Sequence, residues 1–118
     1  MLGDKRNYIR FKTILNLEFK PHKIPSEYLH GIVTNFSYDG LNFIIEILSE
    51  NFNSEPKETL ELIIKHPAKD ANISALGEIV WKRQVNDKCC VGLKIREMDE
   101  KAKIGILEDA FNKQVMGD

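Results

Sequence analysis

Leu15, Leu17 and Phe19 alternate with Asn16, Glu18 and Lys20, the period-two pattern of a strand with one face buried and one face in water, and Pro21 and Pro25 close it into a loop. Apolar alternation returns from His30 to Thr34 and from Leu41 to Ile47, where Leu41, Phe43, Ile45 and Ile47 share a face. Between these two segments, Asn35-Phe36-Ser37-Tyr38-Asp39-Gly40 reads as the polar turn of a hairpin. Glu50 to Lys57, with Asn51, Asn53, Ser54 and Pro56, reads as an exposed loop before a fourth strand carrying Leu60, Leu62 and Ile64. Lys65 to Asn72 is a further loop, and a long fifth strand runs from Ile73 to about Lys82. After a polar turn around Asn86-Asp87, Val91, Leu93 and Ile95 define the return strand. Links this short make the six strands mostly antiparallel.

Near Met98 the period lengthens: Ile104, Leu107, Phe111 and Val115 are three or four apart, with Ala110 beside them, which predicts an amphipathic helix. Asp99 fits its N-cap and Gly117 its stop. Gly105 lowers helix propensity by about 1 kcal/mol relative to alanine, so packing of the apolar stripe has to hold the helix. The expected fold class is all-β with a terminal helix, a six-stranded, mostly antiparallel small barrel, because closure removes exposed edges and an α/β sheet needs more crossover helices. We divide it into a basic arm at 1–12, a barrel at 13–97 and a helix at 98–116. No internal repeat is visible.

The chain has 118 residues, 42% apolar and 30% charged, with four prolines and seven glycines. That suits one core and excludes collagen-like, low-complexity and largely disordered classes. A net charge of −1 argues against a basic coat for long nucleic acid, but charge is unevenly spread. Lys5, Arg6, Arg10 and Lys12 stand against Asp4 alone at the start, whereas residues 46–61 hold Glu46, Glu50, Glu55, Glu58 and Glu61 against Lys57. An anionic ligand would be drawn to the first segment. Cys89 and Cys90 are adjacent, so a disulfide between them would be strained and close no useful loop, and a reducing compartment is the simpler expectation. The start has no apolar signal core and no stretch approaches the roughly 18 apolar residues of a membrane span, so the expectation is a cytoplasmic, soluble chain.

Little here suits catalysis. His22, His30 and His66 lie far apart without a metal-ligand spacing, Ser37 has no nucleophile-elbow setting, and no carboxylate pair stands out. We therefore expect no enzyme, no metal and no cofactor. Cys89 and Cys90 read as one core thiol and one outward thiol. Arg6 and Arg10, four apart before the first strand, would lie on the same side of an extended chain, and a turn would bring their guanidinium groups closer. Each fork can hold phosphate oxygens, lie on a purine or donate to guanine O6 and N7; solvated charge is the plainer alternative. Asn35 and Ser37 share a side of a strand end, with Gly40 free to take a positive φ and to let a ligand or chain approach. They suit a base edge or phosphate, or else a turn that satisfies its own backbone.

In this order, Arg6-x-x-x-Arg10 and Asn35-x-Ser37-x-x-Gly40 resemble the PilZ domain, a bacterial receptor family for cyclic di-GMP. The resemblance continues through Gly77-Glu78-Ile79-Val80-Trp81 and Val91-Gly92-Leu93-Lys94-Ile95, and so covers nearly the whole chain. It departs where only Lys5 precedes the first motif arginine, where Leu41 follows Gly40 in place of a frequent glycine, and where Leu93 and Ile95 stand in a region often aromatic at its second position. The resemblance implies a ligand, cyclic di-GMP, gripped by Arg6 and Arg10, with Asn35, Ser37 and Gly40 on the barrel side and Lys5 as a possible additional contact. It also implies an arm that wraps the ligand, and an output through contacts with an unidentified downstream protein. The alternatives are a nucleotide-independent PilZ-like adaptor, a small-barrel nucleic-acid binder and an enzyme. Trp81 and Phe43 are aromatics that either stack under a base or serve the core or barrel rim, and Tyr8 is an exposed stacking candidate that can also point away from the arginines.

Overall fold

The computed structural model describes residues 8–46 and 52–115. Lys5, Arg6, Ile47 and Gly117 lie outside the described residues. Six strands, β1 (Phe11–Pro21), β2 (Leu29–Phe36), β3 (Gly40–Glu46), β4 (Thr59–Lys65), β5 (Asn72–Val85) and β6 (Lys88–Met98), precede one helix, α1 (Glu100–Val115). The strands close into a barrel in the order β1-β2-β3-β6-β5-β4, every neighbouring pair antiparallel. Hairpins join β1 to β2, β2 to β3 and β5 to β6; the β5–β6 turn is two residues long, with Asn86 at φ 58°.

The alternation explains the closure. Leu15, Leu17 and Phe19, then Leu41, Phe43 and Ile45, Leu60, Leu62 and Ile64, and Val91 and Leu93 all point inward and are buried. Phe19 and Phe43 meet at 4.9 Å between ring centroids in the middle of this core. Each such side chain taken fully from water contributes roughly 1.5–3 kcal/mol, enough to fix the register, because a slip by one residue would turn the whole row outward.

Two expectations need correction. The loop before β4 is not simply exposed: Phe52 packs edge-on against Phe19 at 5.4 Å, Ser54 is buried, and the Lys82 ammonium donates to the Ser54 carbonyl at 2.8 Å. The helix also buries the predicted stripe only in part. Ile106 and Ala110 are buried and Ala102 and Leu107 are partly buried, whereas Ile104, Phe111 and Val115 are exposed. The small residues Ala102 and Ala110 let the helix axis approach the barrel, and Ile106 between them enters the common core. Asp99 caps the helix as predicted, its carboxylate accepting from the Ala102 amide at 3.0 Å. Cys89 is buried and Cys90 half-buried, both as free thiols, and burial raises the Cys89 thiol above its ordinary pKa.

Candidate functional site

A row of residues crosses the outer face of the barrel and forms the candidate site. Lys12 on β1 pairs with Asn35 on β2, Asn35 with Asn42 on β3, Asn42 with Gly92 on β6, and Gly92 with Trp81 on β5. Simple alternation would not align them. Between Val33 and Asn35, β2 advances two residues while β3 advances one, from Phe43 to Asn42. This bulge resets the pleat, so Val33 and Phe36 are both buried while Asn35 lies on the outer side with Asn42. β1 compensates with its own irregularity between Lys12 and Leu15, and β5 inserts exposed Val80 between Ile79 and Trp81.

Arg10 reaches over this row. Its Nη1 donates to Asn35 Oδ1 at 3.0 Å and to Asn42 Oδ1 at 3.4 Å, so the basic segment meets the β2–β3 hairpin in space. Beside it, Asp39, Asn42, Trp81, Gly92 and Lys94 line a shallow cleft of about 140 Å³. Trp81 is half-buried, lying with its indole against Gly92, where any Cβ would overlap the ring. It belongs to the outer face and not to the core, whereas Phe43 is fully buried and unavailable to a ligand. A larger concavity, about 720 Å³, lies elsewhere, around Glu18, His30, Ile32, Ile44 and Ile63, and contains no motif residue.

Ser37, Tyr38 and Asp39 make the turn between β2 and β3. Ser37 is fully buried, and its hydroxyl accepts from the Gly40 amide at 3.1 Å while lying 2.8 Å from Asp39 Oδ1, to which it donates. The Ser37 amide donates to the Gly40 carbonyl at 2.8 Å, and the Ile95 amide to the Asp39 carbonyl at 2.8 Å. Ser37 thus spends its hydrogen bonds on the turn. Gly40 does not take the left-handed φ expected of it; glycine is required there because a Cβ would run into the Leu93 carbonyl oxygen of β6. Tyr8 is 45% exposed and tilts against Tyr38 with ring centroids 5.0 Å apart. Among the described residues no group of three or more His, Cys, Asp or Glu is placed to hold a metal ion.

Asn42, Trp81 and Gly92 are the site residues that motif reasoning missed or misplaced. The polar Asn42 between Leu41 and Phe43 already carried a signal, since alternation sends it outward; its meeting with Arg10 depends on the β2 bulge.

The model of the PilZ domain family matches residues 4–111. The chain belongs to the PilZ domain family. Solved structures agree in fold: the Bacillus subtilis inhibitor of motility, MotI, superposes with a TM-score of 0.78 at 17% identity over 98% of this chain and 54% of that one. This chain therefore spans about half the length of that protein. The PilZ domain of YcgR from Escherichia coli, solved with c-di-GMP, gives a TM-score of 0.69 at 9% identity over 98% of this chain and 100% of its own. The PilZ domain of CeSA from a cellulose-synthesizing bacterium gives 0.59 at 10% identity, covering 90% and 98%. The sequence has no significant match among curated proteins. PilZ domains are binding and adaptor modules, typically receptors for cyclic di-GMP, and no catalytic family is indicated. Among the described residues no helix is long and apolar enough to cross a membrane.

Proposed function

We propose that this PilZ domain is a cytoplasmic receptor for cyclic di-GMP that makes and breaks no bond, and that ligand binding changes the surface it presents to a downstream protein. The observation that carries this reading is the hydrogen bond from Arg10 to Asn35, which brings the second arginine of one motif onto the first residue of the other. In this reading Arg6 and Arg10 grip phosphates and guanine edges, with Lys5 as an additional contact. Asn35 reads the ligand from the barrel side, and Ser37 and Gly40 hold the turn that presents it. In this reading two planar guanidinium forks suit a ligand with two phosphates and two guanines better than a single nucleotide. Residues 1–12 act as the arm, 13–97 as the platform and 98–116 as the terminal helix. Ordering an arm around the ligand makes attachment a switch.

Titration of labelled protein with cyclic di-GMP tests the placement. The amide signals of Arg10, residues 35–40 and Asn42, with the Trp81 indole, are expected to move together. Shifts confined to the C-terminal part of α1, with 35–40 silent, would move the site elsewhere even if the nucleotide bound.

Ser37→Ala separates turn from ligand. Losing the hydroxyl strands the buried Gly40 amide, so stability in urea is expected to fall by about 1–2 kcal/mol, while the folded fraction keeps its affinity for cyclic di-GMP within about threefold. Unchanged stability with strongly weakened binding would instead make the hydroxyl a direct ligand contact.

A further inference from the structure

We propose that Tyr38 is a positioning residue that couples the arm and the β2–β3 turn to helix α1, so that occupancy of the site is passed to the first turns of the helix. Tyr38 sits at the middle of the turn, whose backbone is fixed on one side by buried Ser37 and on the other by the bond from Ile95 to Asp39. Its side chain therefore projects from a rigid base. The phenol donates to the carboxylate of Glu100, the first residue of α1, with oxygens at 2.8 and 3.0 Å. Lys103, one turn further on, places its ammonium over the same ring, 4.1 Å from the centroid. The other partner of that ring is Tyr8, in the arm two positions before Arg10.

One side chain thus touches three parts of the molecule that the main chain separates widely: the arm, the turn that carries the Asn-x-Ser-x-x-Gly motif, and the helix. The hydrogen bond to Glu100 raises the phenol above its ordinary pKa. The contacts to Glu100 are exposed, so they exchange readily with water, as a coupling element requires. A ligand that draws Arg10 away from Asn35 and Asn42 also carries Tyr8 off the Tyr38 ring, and the seating of Glu100 and Lys103 changes with it. The helix is the element with Ile104, Phe111 and Val115 exposed, so a change in its seating alters an apolar surface.

The ligand-driven half of this proposal rests on the cyclic di-GMP reading; the coupling itself is tested without ligand. In the empty protein, Tyr8→Ala is expected to speed hydrogen exchange at the amides of Lys103 to Leu107 by about threefold, and to have no further effect there once Tyr38→Ala is present. Independent, additive effects of the two substitutions, or no effect of Tyr8→Ala at the helix, would overturn the coupling. With cyclic di-GMP at saturation, exchange at those amides is expected to change in the parent and to change less in Tyr38→Phe, which keeps the ring contacts to Tyr8 and Lys103 but loses the donor to Glu100. An equal response in Tyr38→Phe, or binding with a silent helix in the parent, would overturn the ligand-driven step. Absence of binding to the parent would defeat the receptor reading and leave the coupling to be decided by the Tyr8 and Tyr38 pair.

Discussion

Gly40→Val is expected to cost about 3 kcal/mol or more of folding stability, since overpacking against a fixed backbone lies at the upper end of the usual range. The new Cβ would run into the Leu93 carbonyl oxygen, and neither backbone can give easily: Gly40 pairs with Lys94 in the β3–β6 ladder, and its amide and carbonyl both close the Ser37 turn. With a total stability of about 5–15 kcal/mol, the melting temperature should drop by roughly 10 °C or more. The turn carrying Asn35 would be displaced too, so affinity should fall even in the fraction that folds. Urea melts give the first quantity and titration of the folded fraction the second. A parent-like melting temperature would mean that β3 and β6 are further apart than described.

Arg10→Ala is expected to weaken cyclic di-GMP binding by more than about tenfold, equivalent to at least 1.4 kcal/mol, while the empty protein loses no more than about 1 kcal/mol of stability. The difference arises because Arg10 precedes β1 and its side chain donates to Asn35 and Asn42 at the candidate site, whereas a phosphate would engage it through charge-assisted bonds. Arg10→Lys should also lose most of that affinity, because an ammonium keeps the charge but cannot offer a planar fork. Parent affinity in Arg10→Lys would show that charge alone is sufficient. Titration calorimetry on all three proteins, with thermal melts of each without ligand, makes the comparison.

The strands were legible because each buried face follows a period of two with large apolar residues: Leu15, Leu17 and Phe19 reach the core as the alternation requires. Barrel closure was legible as well, since six such strands with one terminal helix offer too few helices for an α/β sheet and closure removes the exposed edges. The helix was located correctly but its face only in part. Leu107 and Ala110 pack on the core as expected, but the larger side chains of Ile104, Phe111 and Val115 outweigh the small Ala102 in a periodicity argument, although small residues are what allow close approach.

The site divides in the same way. Arg10, Asn35, Ser37 and Gly40 could be named from their spacing, but the reasons for two of them could not: Ser37 is locked into its own turn, and Gly40 is needed for space against β6, a neighbour remote in sequence. The row from Asn42 through Gly92 to Trp81 depends on cross-strand register and on bulges at β2 and β5, neither of which leaves a reliable mark in a single chain. Trp81 alternates with buried Ile79, which suggested a core or rim position; the inserted Val80 and the bare surface of Gly92 instead lay it on the outer face.

Calorimetric titration of the parent with cyclic di-GMP, with GMP and cyclic AMP as comparisons, tests the central claim most directly, because affinity and stoichiometry emerge together. A dissociation constant of about 1 μM or tighter is expected for cyclic di-GMP, near −8 kcal/mol, and far weaker binding of the other two, which cannot present two guanines on one ring closed by two phosphodiesters. No heat from cyclic di-GMP would contradict the receptor reading and favour a nucleotide-independent adaptor, and equal affinity for all three nucleotides would reduce the site to a nonspecific anion contact.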